Sequence, residues 1–188
     1  LPGASIAAVA QATFSNTVNT TALYFETGTS ETAVGQTRMV IDSNSRISLS
    51  NNDAGEHNTL FGYAAGLNIH ADSDYNTFIG KNVAIGTMTA TADHNVGVGY
   101  SSLGALTEGV QNVAFGSNSL VLNTTGNYNV GIGTDALATN AGTHNNVGVG
   151  RQAGYYTTGA NNTYVGHKAG LGASGAEANN VGVGKDSL

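Results

Sequence analysis

The stretches NVAFGSNSL (112–120) and NVGIGTDAL (129–137) decide the fold of this chain, because their pattern recurs throughout residues 57–188. Each stretch opens with the pentad Asn-x-x-x-Gly. Successive copies begin 16 to 19 residues apart, and there are eight of them, at Asn58, Asn76, Asn95, Asn112, Asn129, Asn146, Asn162 and Asn180. One such period is too short to bury a core alone, so the repeat predicts coils that stack on one another.

The pentad has the alternation of a short β-strand. Its second and fourth residues are β-branched or aromatic in most copies, as in Val113 and Phe115, and we expect both to face the core. The third residue is small in five copies, for example Gly131, which predicts that another backbone comes close. A leucine four residues after the pentad glycine, such as Leu120, is expected to fill the same core.

The remainder of each period is typical of turns. Gly, Ala, Asn and Thr make up just over half of the chain, and Gly, Asn and Thr favour corners through positive φ and side-chain-to-backbone hydrogen bonds. Stacked asparagines are also expected to form a hydrogen-bonded ladder. With one Pro the chain is not collagen, and with 40% hydrophobic residues and a net charge of −6 it is not disordered throughout.

Charge and cysteine content exclude further classes. The chain has six Lys and Arg against twelve Asp and Glu, and no Cys. A basic footprint for nucleic acid is missing, and so are cysteines for disulfides or a zinc site. No apolar run is long enough to suggest membrane insertion. We therefore expect no nucleic-acid partner, no insertion into a membrane and no cofactor.

The predicted fold is all-β: a trimeric β-prism or β-solenoid of about 17-residue repeats over residues 57–188, with a small N-terminal β-segment. Residues 23–56 are predicted to be a β-capping segment, with one strand at 22–25 and two strands in RMVIDSNSRISL (38–49) joined by a turn at 42–45. Residues 1–22 are predicted to be a shaft or linker, with a short helix as the alternative for 1–19. A ninth pentad-like copy at 82–86 is either a register change or a coincidence.

The small number of core side chains per period bears on the expected oligomeric state. Two or three core side chains per period are few for a single-chain solenoid, and the small third pentad residue suggests a neighbouring backbone. We expect a homotrimer, with a monomeric solenoid as the alternative.

The repeats NVAFGSNSL, NVGIGTDAL and NTYVGHKAG (162–170) resemble the Asn-Thr/Ser-x-Ile-Gly-x-x-Ala/Ser-Leu repeats of bacteriophage tail fibres. RMVIDSNSRISL resembles a segment found upstream of such repeats, so the resemblance covers about residues 38–188. Head repeats of trimeric autotransporter adhesins are similar but usually have a shorter period. The resemblance implies a homotrimeric fibre of the virion that contacts other tail or baseplate proteins and recognises a bacterial surface polysaccharide, either lipopolysaccharide or capsule.

Candidate recognition residues lie where the repeat varies, because stacking does not dictate the residue there. Aromatic and basic side chains at such positions suit sugars and phosphates. The arrangement around Arg151, with two tyrosines in the following loop, is the most site-like. The receptor-binding candidates are Tyr100, Arg151, Tyr155, Tyr156, His167 and Lys168.

Other chemistry is less well supported. His57, His94 and His144 each lie one or two residues before a pentad asparagine; they are corner residues or, as copies around a trimer axis, metal ligands. Glycan cleavage needs paired carboxylates, and only Asp53/Glu56 and Asp72/Asp74 lie close in sequence. We expect a non-enzymatic protein, either a receptor-binding fibre, a purely structural shaft or an adhesin head.

Overall fold

The computed structural model describes residues 57–171 and 178–188 in full, and the backbone of four strands before them. The chain divides into two compact units, Leu1–Asn52 and Asp53–Leu188. The four strands of the first unit form an antiparallel sheet in chain order. They are β1 (Ser5–Ala10), β2 (Thr21–Thr27), β3 (Gln36–Ile41) and β4 (Ile47–Leu49).

The strands predicted at 22–25 and within 38–49 are confirmed by β2, β3 and β4, and Met39 pairs with Leu49. The helix considered for residues 1–19 is wrong for Ser5–Ala10, which form β1 and pair with β2. The turn predicted at 42–45 lies outside the described residues. A capping role for 23–56, and a shaft or linker role for 1–22, stay predictions.

The second unit is a β-solenoid with one three-residue strand per coil, and every strand coincides with the middle of a pentad. The eight strands pair in parallel, each with its sequence neighbour, and the described residues contain no helix. They are β5 (Thr59–Phe61), β6 (Thr77–Ile79), β7 (Val96–Val98), β8 (Val113–Phe115), β9 (Val130–Ile132), β10 (Val147–Val149), β11 (Thr163–Val165) and β12 (Val181–Val183). The expected all-β solenoid is confirmed.

The orientation of the strands is the reverse of the prediction. The third pentad residue points inward: Phe78 and Ala114 are fully buried. The second and fourth residues point outward, so that Val113 is half-buried and Phe115 is 57% exposed. The expectation that the second and fourth residues line the coil's core is therefore wrong. Alternation in a three-residue strand shows which residues share a face, but not which face lies inside.

In seven of the eight coils, a larger side chain at one of two positions is paired with a small residue at the other: the third pentad residue and the residue four positions after the pentad glycine. Phe78 is matched by Ala84, whereas Gly131 is matched by Leu137, and both Phe78 and Leu137 are fully buried. A Cβ on Gly131 would lie 3.2 Å from Cγ of Leu120 on the preceding coil. In these seven coils the larger side chain thus occupies the narrow interior.

One coil has glycine at both of these positions, 148 and 154, and side chains of the neighbouring coils fill its interior. A Cβ on Gly148 would lie 2.8 Å from Cγ of Leu137. A Cβ on Gly154 would lie 2.7 Å from Cδ2 of Leu137 and 2.8 Å from Cδ2 of Tyr164. The large residues of the coils before and after therefore reach into this space, and the packing is continuous along the stack.

The pentad asparagines form the expected ladder. The Asn129 backbone N–H and Nδ2 both donate to Oδ1 of Asn112, at 3.0 and 3.1 Å, and Nδ2 also donates to the Thr143 carbonyl at 2.8 Å. The backbone N–H donates in the same way at every step from Asn58 to Asn180. The six central asparagines are fully buried, and their amides satisfy backbone groups that the corners leave unpaired.

Outside the strands, each coil turns through residues with left-handed backbone conformation. Gly116 has a φ of 138°, and a Cβ there would lie 2.6 Å from the carbonyl carbon of Gly133 on the next coil, so stacking requires glycine at the end of the pentad. Larger residues also adopt positive φ, including Asn118 (55°), Leu120 (51°) and Tyr128 (59°). Burial and hydrogen bonding outweigh the cost of about 1–2 kcal/mol for a left-handed residue with a Cβ.

The pentad-like copy at 82–86 is a coincidence. Asn82 lies in a corner with a φ of 58°, and Val83 and Ala84 are buried there without forming a strand. Strands β6 and β7 pair in the ordinary register, with Phe78 opposite Gly97.

Candidate receptor-binding surface

The outer strand face, defined as the outward second and fourth residues of the eight pentads, which are the first and third residues of β5–β12, is uncharged along the whole solenoid. It contains Val, Ile and Phe, with Thr at only three places. Phe61, Phe115 and Ile132 are 64%, 57% and 39% exposed. Parallel stacking repeats these side chains about every 4.8 Å, so they form one continuous apolar surface. Large surfaces of this kind mark interaction sites rather than solvated exteriors.

The corner column, defined as the residues directly after each pentad glycine, lies next to this face and carries the chemical variety. The hydrogen bond from the Asn82 N–H to the Tyr63 carbonyl, at 2.9 Å, holds successive members in line. Near its start, Nζ of Lys81 lies 5.9 Å from the ring centroid of Tyr63. The members are Tyr63, Lys81, Tyr100, Ser117, Thr134, Arg151, His167 and Lys185.

The structure brings Arg151 and His167 together at the far end of this column. Nη1 of Arg151 lies 3.3 Å from Nε2 of His167. Lys168 follows in the next position, and its N–H donates to the Arg151 carbonyl at 2.9 Å. Arg151 is exposed, and His167 and Lys168 are partly exposed. The side chains of Arg151 and His167 thus contact each other, and the backbone of Lys168 lies beside Arg151 on the next coil.

The other three predicted residues lie elsewhere. Tyr155 and Tyr156 contact each other edge to face, with ring centroids 4.7 Å apart. They follow the corner, and the Tyr155 carbonyl accepts hydrogen bonds from the N–H and Oγ1 of Thr139, at 3.1 and 2.7 Å. Tyr100 belongs to the corner column but lies three coils before Arg151 and is 50% exposed.

An aromatic stack at the start of the solenoid is a feature that sequence reasoning missed. Tyr75 lies between His57 and His94, with ring centroids 4.9 and 4.8 Å away. All three directly precede a pentad asparagine and have φ close to 60°. Their shared position before the asparagine is the signal that identifies this column, because stacking places equivalent positions of neighbouring coils on top of one another.

The histidines proposed as metal ligands are divided between two columns. His57 and His94 flank Tyr75, whereas Nδ1 of His144 accepts a hydrogen bond from the Asn127 N–H at 2.9 Å. Within residues 57–171 and 178–188, no group of three or more His, Cys, Asp or Glu is arranged to hold a metal ion. Metal binding by copies of these histidines around an axis stays a prediction.

The acidic pair Asp72/Asp74 lies in a turn that is held through backbone hydrogen bonds. The Asp72 N–H donates to Nδ1 of His70 at 3.1 Å, and the Asp74 N–H donates to Oδ1 of Asp93 at 2.7 Å. Asp53/Glu56 lies outside the described residues. The non-enzymatic character of the protein stays a prediction.

No protein-family model matches the chain, and neither the curated proteins nor the solved structures contain a match. In the part of the chain that the structure describes, no helix is long and apolar enough to cross a membrane.

Proposed function

We propose that this chain belongs to a non-enzymatic, receptor-binding tail fibre of a bacteriophage, where it attaches the virion to its host by binding a surface glycan, lipopolysaccharide or capsule. The resemblance of its Asn-x-x-x-Gly repeats to tail-fibre repeats supports this assignment. The observation that carries it is the division of the solenoid surface into a uniform apolar face and a chemically varied corner column.

The uniform apolar surface, which is the outer strand face, supports assembly into a homotrimer. The outer strand face presents Val, Ile and Phe over eight coils with no charged residue. Leaving this surface in water is unfavourable, and burying it against other copies of the same face stabilises an oligomer at roughly 25 cal/mol per Å². Three chains that share their strand faces around an axis cover all of these side chains.

The chemically varied corner column supports recognition of a surface glycan. Stacking makes the glycine column and the asparagine ladder nearly identical from coil to coil, yet the corner column changes from Tyr to Lys, Ser, Thr, Arg and His. Aromatic rings and planar cationic groups at the surface provide apolar contacts and hydrogen bonds for sugars. A shaft that only set the length of the fibre would need no such variety.

Cell binding by the 188-residue chain tests the proposal. Labelled protein is expected to bind host bacteria, and to lose binding to mutants that lack surface polysaccharide. The double variant Arg151→Ala with Tyr156→Ala is expected to bind less while remaining folded.

A matched control carries Thr134→Ala with Leu122→Ala, because these residues occupy the same two columns on the preceding coils. The control should bind like the wild type. A folded wild-type protein that binds no host cells would contradict the proposal and favour a structural shaft. Membrane anchorage of the full-length protein in a bacterium would favour an adhesin head.

A further inference from the structure

Charge is segregated along the solenoid, although the chain as a whole is acidic. Between Asp135 and Glu177 there is no carboxylate, but Arg151 and Lys168 lie within that stretch. Lys81 is the one Lys or Arg in residues 57–150. The acidic residues over that earlier range are Asp72, Asp74, Asp93, Glu108 and Asp135.

The basic residues after position 150 meet on one surface. Arg151, His167 and Lys185 are consecutive members of the corner column, and Lys168 lies beside them. The stacking is fixed by two hydrogen bonds, from the Lys168 N–H to the Arg151 carbonyl and from the Asp186 N–H to the His167 carbonyl, each 2.9 Å. We call these four residues the basic patch.

The contact between Arg151 and His167 leaves most of the guanidinium available. A guanidinium has five N–H donors and no acceptor, so Nε2 of His167 is the acceptor in this contact. The imidazole orients the guanidinium and occupies one of its five donors. The remaining donors suit a bidentate contact with a carboxylate or phosphate.

Lys185 is also available to an incoming anion. Its Nζ lies 3.3 Å from Oδ2 of Asp186, and the two side chains are 72% and 54% exposed. An exposed pair of this kind contributes little and exchanges readily with water and ions. Asp135, which directly follows Thr134 of this column, accepts a hydrogen bond from Nδ2 of Asn118 at 3.2 Å.

We propose that the basic patch binds an oxyanion group, phosphate or carboxylate, carried by the surface glycan. This inference rests on the proposed function and narrows its substrate class to acidic polysaccharides. Coils about 4.8 Å apart present cationic groups in a row, which suits an anion repeated along a polymer better than a single small ion. The acidic coils before Asp135 repel the same polymer and confine it to the carboxy-terminal coils.

Binding of the whole chain to three immobilised polysaccharides tests the proposal: phosphomannan for phosphate, polygalacturonate for carboxylate and dextran as the neutral polymer. The wild type is expected to bind one or both acidic polymers and not dextran, and to bind less as salt rises. Loss of charge-assisted hydrogen bonds in Arg151→Gln with Lys185→Gln should weaken binding about tenfold or more.

The matched control is Lys81→Gln, which removes a positive charge from the same column at the acidic end, and it should change binding less than about twofold. Failure of the wild type to bind either acidic polymer would overturn the proposal, as would equal losses in Lys81→Gln and the double variant. Adsorption to host cells is measured in parallel. Wild-type adsorption that the double variant retains refutes the basic patch but not the fibre, and patch-dependent polymer binding without adsorption refutes the fibre but not the patch.

Discussion

Tyr164 and Gly170 share one interior space of the solenoid. The tyrosine ring enters from β11 and is 1% exposed, and a Cβ on Gly170 would press against Cδ1 and Cε1 of that ring. In the coil of Gly131 and Leu137 the sizes are reversed. Because Leu137 has a φ of 50° and Gly170 a φ of 69°, the same corner backbone accepts either residue.

This relationship predicts a compensating pair of substitutions. Tyr164→Gly should destabilise the solenoid by about 3–5 kcal/mol through the cavity it leaves, and Gly170→Leu should destabilise it by crowding the ring. The double variant should be more stable than the sum of the two effects, because the introduced leucine side chain would fill the space of the missing ring. Thermal and urea unfolding of the four proteins measures the coupling, and additive losses would contradict the exchange of volume.

The asparagine ladder gives a second prediction. Asn129→Ala removes an acceptor from the Asn146 N–H at 3.0 Å, in a buried setting, and a donor from the Thr143 carbonyl at 2.8 Å, in a partly buried one. Unpaired buried groups cost about 1–3 kcal/mol each, so the free energy of unfolding should fall by several kcal/mol. Asn58→Ala, at the half-buried first rung, should cost clearly less. Equal losses at both rungs would argue against burial as the source of the effect.

The strand positions and the stacking could be predicted because both follow from periodicity: the eight pentads coincide with β5–β12 without a shift. Periodicity could not predict which face of each strand points into the coil. Val113 and Phe115 have the composition of core residues, and Ala114 that of a contact position, but the narrow coil reverses the assignment. An interior that holds one large side chain per coil selects a small residue on the strand whenever Leu120 or its equivalent fills the corner.

Periodicity also allowed part of the candidate surface, the corner column, to be predicted. Variation within the repeat identifies the corner column from sequence, and stacking places Arg151 beside His167. The stack of His57, Tyr75 and His94 was missed because the two histidines were considered only as corner residues or metal ligands and Tyr75 was not singled out. Only alignment of the residues that precede each pentad asparagine shows that they share a column.

The glycine column allows a matched test of stacking. A Cβ on Gly116 would lie 2.6 Å from backbone atoms of Gly133, whereas one on Gly184 would meet nothing within 4 Å, although both residues have positive φ of 138° and 115°. Gly184→Ala should therefore show only the backbone strain of about 1–3 kcal/mol, and Gly116→Ala should separate two coils and destabilise far more. Thermal unfolding monitored by far-UV circular dichroism compares them, and similar midpoints would contradict steric stacking.

The outer strand face predicts how the chain assembles. Wild-type protein should sediment at three times the chain mass of 18.9 kDa. Phe115→Glu should give folded single chains, because a carboxylate buried without a partner in the subunit interface costs several kcal/mol. Leu122→Glu is the matched control, since Leu122 is 50% exposed against 57% for Phe115 but lies outside this face, and it should leave the trimer intact. A wild-type monomer, or dissociation by Leu122→Glu as readily as by Phe115→Glu, would show that the strand face is not the interface.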